Sequence, residues 1–165
     1  MNIHFFHPNP NMNARMLPDV WLLSDIKEVA QIMSTICSVN ETWTEQMYKP
    51  YNPDGRFVKW GLEKTGWMWM LRYASFLGLE YAYRTRKTHK SMNVLQIFLQ
   101  QSPLHSIDTE EPTFFPEAFL DYRPKGDTVF ERYRNYLLLR EKDGLKVKWT
   151  KRRIPEWYID MKLNH

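Results

Sequence analysis

Apolar residues recur at spacings of three and four near the start of the chain: Leu22, Ile26, Val29, Met33 and Ile36. That period places them on one face of a helix. The pattern opens at Pro18-Asp19 and fades near Val39-Asn40. Asp25 and Glu28, three apart, share a face at the edge of this stripe or off it. Helix interiors exclude proline, so the three proline-free spans, 19–49, 54–102 and 125–154, hold the long helices.

Within the second span, Asp54 is placed to cap a short helix that runs to Lys64, and Thr65-Gly66 reads as a joint, with Thr65 a cap for the next helix. From Trp67 to about Arg84 the residues are apolar on nearly every side, the mark of a central, buried helix. Gly78 inside it suggests close packing, since glycine costs about 1 kcal/mol against alanine in an open helix. A third helix starts at Lys90 or Ser91, carries Val94, Ile97 and Phe98, and ends at Pro103. The acidic stretch 106–121 reads as an ordered loop with a short helix at 116–120, because proline suits a first helical position. Asp127 or Thr128 caps a fourth helix, striped by Val129, Tyr133, Tyr136 and Leu137 and closed by Lys142-Asp143-Gly144. Only residues 3–6 read as extended. The expected architecture is an all-α single domain over residues 1–165, with an extended N-terminal segment and a basic, aromatic C-terminal tail, 146–165, packed on it.

Composition adds three exclusions. The single Cys37 precludes an internal disulfide and any cysteine-based zinc cluster. The strongest apolar run, 67–71, is too short to span a bilayer, so no membrane association is expected. The opening MNIHFFHPNP lacks the basic and apolar regions of a signal peptide, which makes the cytoplasm (a host cell's, if the chain is viral) the expected location. His4 and His7 have a spacing compatible with a metal, but their extended segment offers no neighbouring carboxylate, and no metal site is expected. No GxSxG, HExxH, Walker or Rossmann motif occurs.

Aromatic residues make up 15% of the chain, and the net charge is only +4. That mild value conceals two dense clusters. Arg84, Arg86, Lys87 and Lys90 carry four charges, and Lys146, Lys148, Lys151, Arg152 and Arg153 carry five, so the remainder of the chain is −5. Trp149, Trp157 and Tyr158 flank the second cluster. Cations neutralise phosphates and flat rings stack on unpaired bases, so Arg84, Arg86, Lys87, His89, Lys90, Trp149, Lys151, Arg152, Arg153 and Trp157 are candidate nucleic-acid contacts. Solvated basic loops around core tryptophans would give the same pattern. Glu28, preceded by Lys27, is the most interesting carboxylate. Beside a chain terminus it would poise an α-amine, a group with an ordinary pKa of about 7.7–8.0.

The start MNIHFF, the run Asn13-Ala14-Arg15-Met16-Leu17-Pro18-Asp19, and Trp21-Leu22 with Glu28 six residues on resemble a diverged phage-type pyrimidine-dimer DNA glycosylase of the endonuclease V type. A group of phage and bacterial proteins often described as distant members of that family is nearer. Its tyrosine-lysine-proline turn, tryptophan-rich helix, histidine-lysine-serine run and proline-glutamate-tryptophan-aromatic ending are matched by Tyr48-Lys49-Pro50, by Trp60 with Trp67 and Trp69, by Tyr81 leading to His89-Lys90-Ser91, and by Pro155-Glu156-Trp157-Tyr158.

The resemblance implies a compact all-α body and a DNA-repair activity, base removal followed by strand cleavage, on damaged duplex DNA. It implies that Glu28 is the catalytic glutamate and that Lys27 stands where an arginine holds phosphate. The family's nucleophile is an N-terminal amine exposed by loss of the initiator methionine. Here Asn2 follows Met1, a context in which Met1 is usually kept, so Met1 and Asn2 together mark the nucleophile's position. Gln31 stands where the family has a further basic residue. An amine and a carboxylate suffice for this chemistry, so no cofactor is implied. Two other classes stay open: a non-catalytic nucleic-acid-binding protein on the same scaffold, and a protein- or nucleotide-binding module.

Overall fold

A computed structural model describes residues 1–101 and 110–163 of the chain. Among these residues there are seven helices and no strand: α1 (Pro10–Met16), α2 (Asp19–Val39), α3 (Arg56–Leu62), α4 (Lys64–Thr85), α5 (Met92–Gln101), α6 (Val129–Lys142) and α7 (Glu156–Leu163). The fold is all-α, as the periodicity indicates. Helices α2 and α4 pack on each other at the centre, α1 lies on α4, and α3 and α5 each touch both.

The long helices fall where the apolar spacing puts them, and most differences lie at their ends. Asp54 does not cap α3; Gly55 is its N-cap residue and makes no side-chain bond. The joint between α3 and α4 is Glu63, and Thr65 and Gly66 belong to the first turn of α4. Gly66 is needed there for another reason: a Cβ on it would stand 2.2 Å from the Trp60 carbonyl oxygen. We expect Gly66→Ala to lower unfolding free energy by about 1–3 kcal/mol, since backbone on both sides of the contact must shift. Urea unfolding measures this. Gly78 faces the Met92 thioether, where a Cβ would stand 2.8 Å from the sulfur, in keeping with close packing there. Thr128 is the cap of α6. Its hydroxyl accepts the Glu131 amide and Glu131 accepts the Thr128 amide, a reciprocal capping box. Gly144, at φ 96°, follows its end.

Two helices are not evident from the apolar spacing. The asparagine-rich stretch before Pro18 forms α1, begun by Asn9, whose side chain accepts the amides of Asn11 and Met12, with Pro10 in the first turn. The tail forms α7. Conversely, residues 116–120 are not helical: Leu120 adopts φ 54°, which ends any helical turn. Pro103 and the first part of the acidic stretch lie outside the described residues. No described helix is long and apolar enough to cross a membrane.

The N-terminal segment is extended but is not a strand. Ile3, His4, Phe5 and Phe6 are all buried, so their backbone needs partners other than water. Side chains supply them. Asp25 accepts the His4 amide at 3.1 Å, and Asn13 accepts the amides of Phe6 and His7 at 2.6 and 3.1 Å. Asn13 donates to the His4 carbonyl and Arg134 to that of Phe6. Phe5 packs against Phe57, Trp60, Trp69, Phe115 and Tyr133. Part of the aromatic excess is therefore a shell around this threaded segment, and α6 reaches the core through it by Tyr133 and Tyr136.

Candidate active site

The segment runs antiparallel to α2. Asn2 meets Glu28 and His4 meets Asp25, so two residues of extended chain, about 6.7 Å, accompany three of helix, about 4.5 Å. This fixes the chain terminus against Glu28. The Met1 amine lies 3.7 Å from Glu28 Oε2, and the Asn2 amide donates to the same oxygen at 3.1 Å. Glu28 is half-buried, and its Oε1 has no bond to any described residue. The Asn2 side chain is also held: it donates to the Ala118 carbonyl at 2.9 Å and accepts from the Tyr133 hydroxyl at 3.1 Å.

Beneath this pair sits a polar network that the spacing does not reveal. Asp25, at 0% exposure, accepts from His4 Nδ1 at 2.6 Å, from the His4 amide and from the Tyr73 hydroxyl at 2.7 Å. His4 stacks on Trp21, with centroids 3.9 Å apart. Burial, then the Asp25 charge, pushes the Tyr73 hydroxyl well above its ordinary range, so it stays a donor. Spacing alone puts Asp25 at the edge of the apolar face or off it, and leaves His4 without a nearby carboxylate. Both expectations are corrected: Asp25 stands between Leu22 and Val29 on the buried face, where the folded chain brings His4 onto it. His7 is apart from this network and accepts the Asn9 amide.

Met1 lines a cavity of about 120 Å³ with Asn52, Gly55, Arg56, Phe57 and Ala118. Arg56 and Ala118 also line a larger cavity of about 650 Å³. That cavity carries Arg56, Arg123 and Arg132 against one carboxylate, Glu117, which pairs with Arg132. Among the described residues, Arg56 and Arg123 donate only to backbone carbonyls, and no carboxylate there pairs with either. Sequence reasoning misses these three arginines because they are isolated along the chain. Only folding gathers them.

The expected phosphate contacts divide. Lys27, Arg86, Lys87 and Lys90 are exposed, with Lys27 beside Glu28 on α2. Arg84 is not exposed, and the expectation that it holds phosphate is corrected. Its side chain is 1% exposed and bonded to Glu80 at 2.7 Å, to Asp19 at 2.9 Å and to the Leu17 and Arg15 carbonyls. Trp149 is likewise corrected as a base-stacking ring: it is buried, with its indole N–H on the Met16 carbonyl at 2.9 Å. Arg152 bonds Glu80 through both Nε and NH2, and its guanidinium lies 4.3 Å from the Tyr83 ring centroid. Lys151 donates to the Tyr83 carbonyl and Arg153 is exposed. Trp157 is half-buried, between Phe6 and Arg134. Burial, then the Lys90 charge, lowers the His89 pKa, and its Nδ1 accepts the Ser91 amide. The C-terminal turn thus docks on the last turn of α4 and brings the two basic clusters together.

Asp19 and Glu80 brace that junction. Burial opposes their charge, but the Thr150 donors and then Arg84 on Asp19, and Arg152 and then Arg84 on Glu80, hold both carboxyls below the ordinary range. The stability they contribute is complete above about pH 4 and is lost as pH falls through their lowered values in the fold. We expect the stability gap between the native chain and Glu80→Gln to shrink below about pH 4, read by urea unfolding at successive pH values.

The arrangement at the terminus is an amine–carboxylate pair on a helical scaffold, with Met1 on a small cavity that shares Arg56 and Ala118 with a larger basic one. The chain matches no family model, no curated protein and no solved structure.

Proposed function

We propose that the chain is a DNA glycosylase of the pyrimidine-dimer type with strand-cleaving lyase activity. One observation carries this reading: the Met1 amine and Glu28 Oε2 lie 3.7 Å apart, with Met1 on a cavity that shares Arg56 with a larger basic one. The free amine attacks C1′ of a damaged nucleotide. The C1′–N bond breaks, and the base departs with the electron pair and takes a proton. Glu28 removes the surplus proton from the attacking nitrogen and faces the positive charge that develops on the sugar. Glu28 then delivers that proton to O4′ as the sugar ring opens, which leaves a protonated imine between C1′ and the Met1 nitrogen and returns Glu28 to its carboxylate form. Loss of a proton from C2′ to Glu28 then expels the 3′ phosphate, which cuts the strand. Extrusion of the lesion is cheap because damage already weakens stacking. Lys27, Arg86, Lys87, Lys90 and the exposed cations of the C-terminal turn hold phosphates.

A second reading, a non-catalytic nucleic-acid-binding protein, draws on a different observation. The Met1 side chain is only 5% exposed, which suits an anchor as well as a nucleophile. Duplexes carrying one cyclobutane dimer or one abasic site separate the two. The lyase reading expects nicking at the lesion, abolished by N-terminal acetylation. Gel retardation without nicking supports the binding reading instead.

A further inference from the structure

A third cavity, of about 600 Å³, opens between α1 and the C-terminal turn, away from Met1 and Glu28. Its volume lies within the roughly 300–1,000 Å³ of small-molecule sites. Four cations line it, Arg15, Lys151, Arg152 and Arg153, against a single carboxylate, Glu156. Arg152 is matched by Glu80 at 2.7 Å. Lys151 donates only to a carbonyl, and Arg15 and Arg153 are exposed with no side-chain partner among the described residues. Three uncompensated cations facing one carboxylate leave a surplus of about two charges, the charge of a phosphomonoester near neutral pH.

The walls are fixed before any ligand arrives. Thr150 donates to Asp19 through its hydroxyl at 2.6 Å, the Trp149 indole bonds the Met16 carbonyl, and Lys151 is held at φ 58°. The Arg15 carbonyl accepts from Arg84, which fixes the backbone beneath its free guanidinium. Met12, Met16 and the part of Trp157 that Phe6 and Arg134 leave uncovered supply apolar and polarisable surface for a base.

We propose that this cavity binds a nucleoside phosphomonoester, with the phosphate on Arg15, Lys151 and Arg153 and the base against Trp157. The free mononucleotide and the phosphorylated end of a DNA strand share this chemistry. The site shares Lys151 and Arg153 with the phosphate contacts of the lyase reading but needs neither Met1 nor Glu28, so mononucleotide binding and strand cleavage fail separately.

Tryptophan fluorescence of the full chain, titrated with deoxyadenosine 5′-monophosphate, inorganic phosphate and deoxyadenosine, tests the site. We expect saturable quenching by the monophosphate at affinity about tenfold or more above either fragment. Arg15→Ser and Arg153→Ser, both exposed and without a side-chain hydrogen bond or ion pair to a described residue, should each weaken it about tenfold. Trp157→Phe should remove most of the quenching. Competition identifies the source: a 5′-phosphorylated oligonucleotide that outcompetes the mononucleotide marks a strand end, and parity marks the free nucleotide. The proposal is overturned if phosphate binds as well as the monophosphate, if both arginine variants bind normally, or if a 5′-hydroxyl oligonucleotide competes as well as its phosphorylated form.

Discussion

Asp25→Ala is expected to destabilise the fold by about 3–5 kcal/mol, the scale found when one partner of a buried polar cluster is removed. Three donors lose their acceptor at once: the His4 ring, the His4 amide and the Tyr73 hydroxyl, all buried. No water replaces Asp25 without entering a packed aromatic shell, and each orphaned donor retains its desolvation cost. The damage is also directional. His4 anchors the segment that carries Met1 and Asn2 to Glu28, so the terminus loosens even where the helices hold. Urea unfolding measures the loss, and amide hydrogen exchange over residues 1–7 locates it. A loss below about 1 kcal/mol would mean that the network is incidental to the fold.

Glu28→Gln separates chemistry from stability. Glutamine still accepts the Asn2 amide, so unfolding free energy should change by less than about 1 kcal/mol, the worth of one partly exposed ion pair. Strand cleavage at a lesion should fall about 10²–10⁴-fold, the usual contribution of a positioned acid–base group. Lys27→Gln, on the exposed neighbour, should weaken DNA binding and its salt dependence but leave the cleavage rate at saturating DNA close to normal.

Helices are legible in the sequence where an apolar stripe continues over several turns, as in α2, α4 and α6. Helix α1 is not, because Asn9, Asn11 and Asn13 read as loop residues. Asn9 acts as a cap and Asn13 as a backbone partner for the threaded segment. Glu28 is legible from its setting near the start of the chain, and the pairing with Met1 follows from the antiparallel course of the segment on α2. The basic clusters are legible as composition but not as roles. Density of charge along the chain does not distinguish Arg84, which braces Glu80 and Asp19 inside the fold, from Arg86 two residues on, which faces water. Arg56, Arg123 and Arg132 show the converse: they are scattered in sequence and meet only around the cavity. The one available signal for Asp25 is that it stands three residues after Leu22 and four before Val29, which admits it to the buried face as well as to the edge expected for it.

Whether the Met1 amine is a nucleophile can be read from a covalent trap. Incubation with abasic duplex DNA in the presence of borohydride reduces any imine to a stable secondary amine. Peptide mapping of the adduct by mass spectrometry then identifies the nitrogen involved. We expect a DNA adduct on the peptide beginning at Met1, absent after N-terminal acetylation. An adduct confined to a lysine side chain, or none from protein whose free Met1 terminus has been verified by sequencing, would rule out the Met1 amine as the nucleophile.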